Sequence, residues 1–202
     1  MEGVRQVRAG ELVALSSLVG REFANDVMVS WTVPDGDDLE RASEAFFTTL
    51  HQAYFSHRWL WVVGDPRIDG MAMWVPPDPD DTYGAVMLEI DAEIGGIMSD
   101  RKPRYDRFWA WIDDHRPAEP HWYLEHIVVR PERRGGGLGR ALIQHGLTGA
   151  DRDGASAWLV TSKAGNVPLY ERFGFVVEIA EHAPDGGPYL WFMTRDPLPP
   201  SV

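Results

Sequence analysis

The chain has 202 residues, of which 44% are hydrophobic, and it carries a formal net charge of −12. This length fits one domain, and the apolar content is ample for a buried core, which excludes a wholly disordered chain. There is no cysteine, so disulfides and a cysteine nucleophile are excluded. The acidic balance disfavours nucleic acid as a partner and favours cationic substrates.

Neither a leader nor a membrane segment is predicted. Residues 1–12 lack the apolar core of a secretion signal, and no stretch approaches the ~20 apolar residues of a membrane span. We therefore expect a cytoplasmic protein with no membrane partner. The histidines at 51, 57, 115 and 121 lack zinc-like spacing, so no metal site is predicted.

The first part of the chain predicts helices around one hairpin. A strand is predicted over residues 4–8, helices over 11–23 and 39–55, and a hairpin over 59–63 and 68–75. Residues 26–37 contain Pro34 and Gly36 and predict a loop. The proline-rich segment 76–81 predicts a break, and further helices are predicted over 84–98 and 104–114.

The second part predicts alternating strands and helices. Strands are predicted over residues 121–129, 157–161, 175–179 and 189–193, with helices over 140–151 and 167–172. Residues 1–196 are predicted to form a single domain. The proline-rich residues 197–202 are predicted to be a flexible tail.

A glycine-rich turn lies between the predicted strand 121–129 and the helix that follows it. Its glycines let a ligand approach the backbone closely, and the unpaired amides and dipole of the helix start attract anions. A pyrophosphate suits such a turn, and a flexible turn with solvated arginines is the alternative. The turn lacks the ending of a P-loop, and Arg140 replaces the last glycine of a dinucleotide fingerprint. Its residues are Arg134, Gly135, Gly136, Gly137, Leu138 and Gly139.

Two motifs, in order, resemble the GNAT family of N-acetyltransferases. The first is the turn itself, preceded by Val128 and Val129, and the second is the segment 166–175, which reads NVPLYERFGF. Segments 115–120, 166–172 and 191–195 further resemble the puromycin N-acetyltransferase-like branch of that family. The resemblance implies an α/β fold with a mixed central sheet of seven strands, splayed between the fourth and fifth strands and flanked by helices.

The resemblance also implies transfer of an acetyl group from acetyl-CoA to a primary amine of a small molecule, by direct attack in a ternary complex. The pantetheine arm would bind the backbone of Ile127, Val128 and Val129 in the split of the sheet. The pyrophosphate would bind the turn from Arg134 to Arg140, and Asn166 would lie beside the arm.

Two side chains are candidates for proton transfer. By resemblance, Tyr170 matches the tyrosine that faces the sulfur and protonates the leaving thiolate, and a packed core tyrosine is the alternative. Strand alternation places Tyr123, Glu125 and Ile127 on one face, so Glu125 is a candidate general base. A carboxylate paired or hydrated at the sheet edge is the alternative for Glu125. His126 is interpreted as a packed or hydrogen-bonded core histidine.

The sequence departs from the puromycin-like branch at Val160, where that branch has a glutamate tied to the amine site. This departure puts puromycin as the acceptor in question, and Glu125 is our hypothesis for the compensating carboxylate. Val27 and Trp31 are predicted to line the acceptor site, with a lid packing on its own domain as the alternative. A peptide N-terminal acetyltransferase and a non-catalytic acetyl-CoA sensor remain alternatives, and homodimers are common among similar proteins.

Overall fold

The computed structural model describes residues 3–33, 39–78 and 80–199 and contains a seven-stranded mixed sheet in the order β1-β2-β3-β4-β5-β7-β6. The strands are β1 (Arg5–Gln6), β2 (Leu60–Val63), β3 (Gly70–Val75), β4 (His121–Val129), β5 (Ser156–Thr161), β6 (Val176–His182) and β7 (Tyr189–Arg195). Strands β4 and β5 are parallel, and the other neighbouring pairs are antiparallel. The predicted fold class is confirmed.

Helices cover both faces of this sheet. They are α1 (Leu12–Phe23), α2 (Val27–Thr32), α3 (Leu39–Phe55), α4 (Thr82–Glu89), α5 (Asp91–Met98), α6 (Lys102–Asp113), α7 (Leu138–Asp153) and α8 (Val167–Glu171). Met73 of β3 is buried on the face covered by α1 and α3, whereas Trp74 is buried on the face covered by α7. This alternation along β3 is what a strand buried on both sides requires. A Cβ at Gly146 would clash with the Trp74 ring, so this glycine lets α7 approach the sheet.

The predicted loop over residues 26–37 is wrong for its first half, which forms α2. The Asp26 side chain accepts a hydrogen bond from the backbone N–H of Met28 at 2.9 Å and so caps the helix. Pro34 and Gly36, which suggested the loop, lie outside the described residues. Residue 79 of the predicted break and residues 200–202 of the predicted tail also lie outside them.

The helix predicted over residues 84–98 is two helices. Ile90 leaves helical geometry, with φ −95° and ψ 2°, and joins α4 to α5. At the other end of the chain, the Leu198 backbone N–H donates to Asp151 Oδ1 at 2.7 Å, so the first part of the predicted tail is tied to α7. No helix of the described residues is long and apolar enough to cross a membrane.

A β-bulge in β4 overturns the predicted alternation of its side chains. Met73 pairs with His126 while Trp74 pairs with Leu124, so Glu125 is an extra residue between them. Ile127 therefore packs on the α7 face, whereas Tyr123 lies on the opposite face. The prediction that Tyr123, Glu125 and Ile127 share one face is wrong, because alternation holds only where no residue is inserted.

The sheet splits where the bulge occurs. Pairing of β4 with β5 runs from His121 opposite Ser156 to Leu124 opposite Leu159 and then stops. Residues 125–129 of β4 continue along β3, and no strand of the described residues pairs with them on the side of β5. The backbone groups on that side can therefore bind an extended ligand, and the predicted splay between the fourth and fifth strands is confirmed.

Candidate functional site

A cleft of about 550 Å³ lies over the split, between the ends of β4 and the start of α7. All of the predicted cofactor-binding residues except Gly136 line it. Those that do are Ile127, Val128, Val129, Arg134, Gly135, Gly137, Leu138, Gly139, Arg140 and Asn166. The strand–turn–helix connection thus brings residues 127–129 of β4 and residues 134–140 of the turn and α7 into one cleft. Asn166 reaches the same cleft from the segment before α8.

Two glycines of the turn have backbone conformations that favour glycine. Gly135 has φ +80° and Gly137, the N-cap of α7, has φ +84°. A Cβ at either position would meet nothing within 4 Å, so conformation rather than crowding explains the residue type. The first amides of α7 have no partner within the helix, and with the helix dipole they make this end of the cleft attractive to anions.

Arg134 adds positive charge to the mouth of the cleft. Its Nε donates to the carbonyl of Val129 at 3.0 Å, and its Nη2 donates to Glu22 Oε2 at 2.7 Å. The guanidinium is still more than half exposed. Arg134 is therefore held over the turn, and its charge is shared with a carboxylate at the end of α1.

A second, inner cavity of about 120 Å³ lies beyond the cleft, enclosed by α2, α3, α6, β4 and β5. Most of its wall is apolar or aromatic, and two carboxylates, Asp26 and Glu125, face it. Asp26 Oδ2 forms an ion pair with Lys163 Nζ at 3.1 Å. Sequence reasoning missed Asp26, although its position before an apolar run is a helix-capping signal. The apolar wall is formed by Phe23, Met28, Val29, Phe46, Phe47, Trp109 and Val160.

Five residues line both the cleft and the inner cavity, which are therefore contiguous. They are Phe23, Ile127, Lys163, Asn166 and Tyr170. Tyr170 is only 5% exposed, and its burial raises the pKa of the phenol to about 12. A phenol with this pKa remains protonated at neutral pH, so at the junction it can donate a proton.

The bulge turns Glu125 and His126 toward the inner cavity, which both residues line. The Glu125 carboxylate contacts His126 Nδ1 directly, and His126 Nε2 lies 3.0 Å from His51 Nε2 of α3. Burial and the neighbouring His126 hold the pKa of His51 well below its usual value, so His51 is neutral. The interpretation of His126 as a hydrogen-bonded core histidine is confirmed, and the sequence offered no signal for its contact with His51.

Val27 and Trp31 do not line the inner cavity; Met28, Val29 and Thr32 of the same helix do. Val27 is 47% exposed. Trp31 lies under the guanidinium of Arg104, 4.4 Å from its ring centre. Because these residues form a helix rather than a loop, only the helix side that faces the sheet reaches the cavity.

Residues 22–175 match the family model described as Acetyltransferase (GNAT) family. The chain therefore belongs to this family of acyl-CoA-dependent acetyltransferases. An uncharacterized N-acetyltransferase of Schizosaccharomyces pombe is 28% identical over 127 residues, which are 57% of this chain and 50% of that protein. The chain thus matches that curated relative over only half of the relative's length.

Solved structures share the fold. One from Corynebacterium glutamicum, described as histone acetyltransferase HPA2 and related acetyltransferase, has a TM-score of 0.73 at 23% identity, with 100% of both chains covered. A Drosophila melanogaster polyamine N-acetyltransferase has a TM-score of 0.62 at 15% identity, over 96% of this chain and 98% of that one. A mosquito arylalkylamine N-acetyltransferase-like protein has a TM-score of 0.61 at 15% identity, over 97% of this chain and 100% of that one.

Proposed function

We propose that this chain transfers the acetyl group of acetyl-CoA to a primary amine of a small molecule by direct attack in a ternary complex. The observation that carries this proposal is the continuity of the cleft with the inner cavity, which have five lining residues in common. An acetyl donor in the cleft and an amine in the inner cavity would meet at Tyr170. Direct attack then needs no covalent enzyme intermediate.

The cleft suits acetyl-CoA in two respects. The unpaired side of β4 at residues 125–129 can bond to the amide groups of a pantetheine arm as an added strand would. The turn with Gly135 and Gly137 offers helix-start amides and arginines to a pyrophosphate. Asn166 lines the cleft, and its amide donates to Thr161 Oγ1 at 3.4 Å, which supports a role for it in holding the donor.

In the proposed reaction, the amine nitrogen attacks the thioester carbonyl, a C–N bond forms and the C–S bond breaks. Glu125, which faces the inner cavity, accepts the proton that the amine loses. Tyr170 gives its phenolic proton to the leaving thiolate. Val160 also lines the inner cavity and supplies no carboxylate, which supports assigning the base to Glu125.

The inner cavity favours a small acceptor over a peptide. Its volume of about 120 Å³ suits one compact amine, and residues of α2, α3 and α6 form part of its wall. The resemblance to the puromycin N-acetyltransferase-like branch makes puromycin worth testing, although the cavity as it stands is small for it. One sheet carries both the cleft and the inner cavity, which supports the prediction that residues 1–196 form one domain.

The proposal is tested by following thiol release from acetyl-CoA with purified protein and a panel of amines. The panel should contain compact aromatic amines, polyamines, puromycin and a peptide with a free N-terminus. We expect release that depends on a small amine, and intersecting double-reciprocal plots when both substrates are varied. Release with the peptide alone would contradict the proposed acceptor class, and acetyl-CoA binding without release would favour a sensor.

Glu125→Gln tests the proposed base. The amide cannot accept the proton, so we expect kcat/KM to fall by about 10²-fold or more and its rise with pH on the acid side to disappear. Asp26→Asn is the matched control, because it removes the other carboxylate of the same cavity. A wild-type pH profile in Glu125→Gln together with a flattened one in Asp26→Asn would move the base to Asp26.

A further inference from the structure

A continuous row of hydrogen bonds leads from the inner cavity into the core between α1 and α3. Glu125 contacts His126 Nδ1, His126 Nε2 lies 3.0 Å from His51 Nε2, and His51 Nδ1 lies 3.0 Å from Ser16 Oγ. Ser16, His51 and His126 are 1%, 0% and 6% exposed. Only Glu125 and His126 line the cavity, so the other two act on a ligand there only through them.

The geometry couples the tautomers of the two histidines. Their Nε2 atoms face each other, so one must carry a proton and the other a lone pair. If Ser16 donates to His51 Nδ1, the single proton of neutral His51 is on Nε2 and points at His126. His126 then carries its own proton on Nδ1 and donates it to the Glu125 carboxylate. Every polar atom in the row is satisfied in this arrangement.

The opposite arrangement fits a different protonation state. If His51 donates from Nδ1 to Ser16, its Nε2 accepts a proton from His126 Nε2. A neutral His126 would then present the bare Nδ1 to the carboxylate of Glu125, which is repulsive unless this pair holds one more proton. The first arrangement therefore fits a carboxylate at Glu125, and the second does not.

We propose that Ser16 and His51 are positioning residues for the base of the proposed acetyl transfer, on which this inference depends. They fix the tautomer of His126 so that its Nδ1–H holds Glu125 as a carboxylate aimed at the amine. When the amine gives up its proton, Glu125 becomes a carboxylic acid whose carbonyl oxygen can still accept from His126 Nδ1–H, so His51 and His126 keep their tautomers. No proton leaves the row, so the uptake is balanced within it.

The surroundings argue against a packing role alone. Phe47 lies 5.9 Å from the His51 ring and 5.3 Å from the His126 ring, and Phe23 lies 6.1 Å from His126. Buried polar groups in such an aromatic enclosure do not stabilise the fold more than apolar groups of the same shape would, so a row of them points to a role beyond stability. By contrast Ser43, also buried on α3, has a hydroxyl without a hydrogen-bond partner among the described residues.

Other ionisable groups face the Glu125–His126 pair from the elements around it. The nearby tyrosines stay neutral through neutral pH, because burial raises the pKa of each. Asp26 and Lys163 face the pair across the cavity as an ion pair with each other. These groups are His51 and Tyr54 on α3, Tyr83 on α4, Tyr105 on α6, Tyr123 on β4, Asp26 before α2, Lys163 after β5 and Tyr170 on α8.

The test compares Ser16→Ala with Ser43→Ala, two buried serines of packed helices that differ in having a partner. Without the Ser16 donor, His126 no longer favours the tautomer that supports the carboxylate. We expect the acid-side midpoint of the kcat/KM profile to rise by about one pH unit and kcat to fall by roughly three- to tenfold, with KM for acetyl-CoA unchanged. Ser43→Ala should keep the wild-type profile.

Imidazole ¹⁵N NMR gives a readout that does not need activity. Above the acid-side midpoint, wild-type His126 should be in the Nδ1–H tautomer, and Ser16→Ala should give a mixture. An unchanged tautomer and midpoint in an active Ser16→Ala enzyme would overturn the inference and leave the proposed function standing. The expected tautomer change in a protein without acetyltransferase activity would support the row and refute the function.

Discussion

At the scale of single residues, a substitution of Tyr170 can distinguish binding of acetyl-CoA from the proposed transfer of its acetyl group. Tyr170→Phe removes the phenolic proton and keeps the ring that packs edge-on against Phe175 at 6.0 Å. We expect kcat to fall by about 10²-fold or more, because a positioned general acid contributes that much, while the Kd for acetyl-CoA stays unchanged. Steady-state kinetics and calorimetric titration measure the two quantities.

Tyr189→Phe is the matched control for this substitution, because Tyr189 is exposed on β7 and lines neither cavity. The pH dependence gives a second check. Burial raises the pKa of Tyr170 to about 12, so wild-type kcat should not fall through Tyr170 ionisation between about pH 7 and 10. Retention of full kcat in Tyr170→Phe would remove the proton-donor role.

The residues of the candidate site differ in how far the sequence could predict them. Tyr170 and the glycines of the turn belong to local motifs, so their grouping follows from the order of strand, turn and helix. Ser16 of α1 is connected to His126 of β4 only through His51 of α3, and Asp26, which precedes α2, meets Ser162 after β5 only through tertiary packing. No local pattern marks such contacts, and sequence reasoning without an alignment missed them.

At the scale of elements, α7 is capped at both ends by glycines, and substitutions of these two glycines test the role of the turn. Gly137 has φ +84° at its start and Gly154 has φ +63° at its end, and a Cβ at either would meet nothing within 4 Å. An alanine at either position should cost about 1–2 kcal/mol of the free energy of unfolding, because it strains a left-handed backbone. Chemical denaturation measures that loss.

Of these two substitutions, only Gly137→Ala should change the affinity for acetyl-CoA. Relaxation at Gly137 moves the first amides of α7, so Gly137→Ala should weaken acetyl-CoA binding by roughly tenfold. Gly154→Ala lies at the far end of the helix and should leave the Kd unchanged. Equal effects of the two alanines on the Kd would mean that the turn does not hold the pyrophosphate.

The bulge in β4 and the short helix α2 are two features that the sequence pattern did not predict. Alternation placed Glu125 correctly in the strand but could not reveal the extra residue opposite Met73 and Trp74, since the strand pattern reads the same with or without it. Pro34 and Gly36 suggested a loop, whereas the cap by Asp26 starts a helix before them. In both cases pairing or capping overrode the simplest pattern.

At the scale of the whole molecule, the buried tyrosines make the free energy of unfolding depend on pH in the alkaline range. Five of the six tyrosines have a pKa raised by burial: Tyr54, Tyr83, Tyr105, Tyr123 and Tyr170. In the unfolded chain each ionises near pH ~10. The unfolded state therefore loses these protons first, and the stability that their burial contributes is present below that pH and decreases as the pH rises above it.

We expect alkaline unfolding to be cooperative, with these five tyrosines ionising together as the fold is lost. Tyrosinate absorbance and near-ultraviolet circular dichroism should then have the same midpoint during a titration with base. Gradual ionisation of all the tyrosines before any change in circular dichroism would contradict this expectation.

The global fold was more predictable than the wall of the inner cavity. The order of strands and helices along the chain predicted a mixed α/β fold, and the resemblance carried by the two motifs around β4 and α8 implied the sheet and its split. The wall of the inner cavity depends on how α2, α3 and α6 pack over the sheet, with side chains such as Trp109 and Phe47 coming from distant segments. Long-range packing of this kind leaves no periodic trace in the sequence.

In the proposed reaction, the ion pair between Arg134 and Glu22 connects the pyrophosphate end of the donor site with the end of α1. A pyrophosphate bound at Arg134 would compete with the Glu22 carboxylate for the guanidinium. Glu22 is followed by Phe23, which lines both cavities, so this end of α1 lies beside both of the proposed substrate sites. If donor binding changes the affinity for the amine by some factor, amine binding must change the affinity for the donor by the same factor.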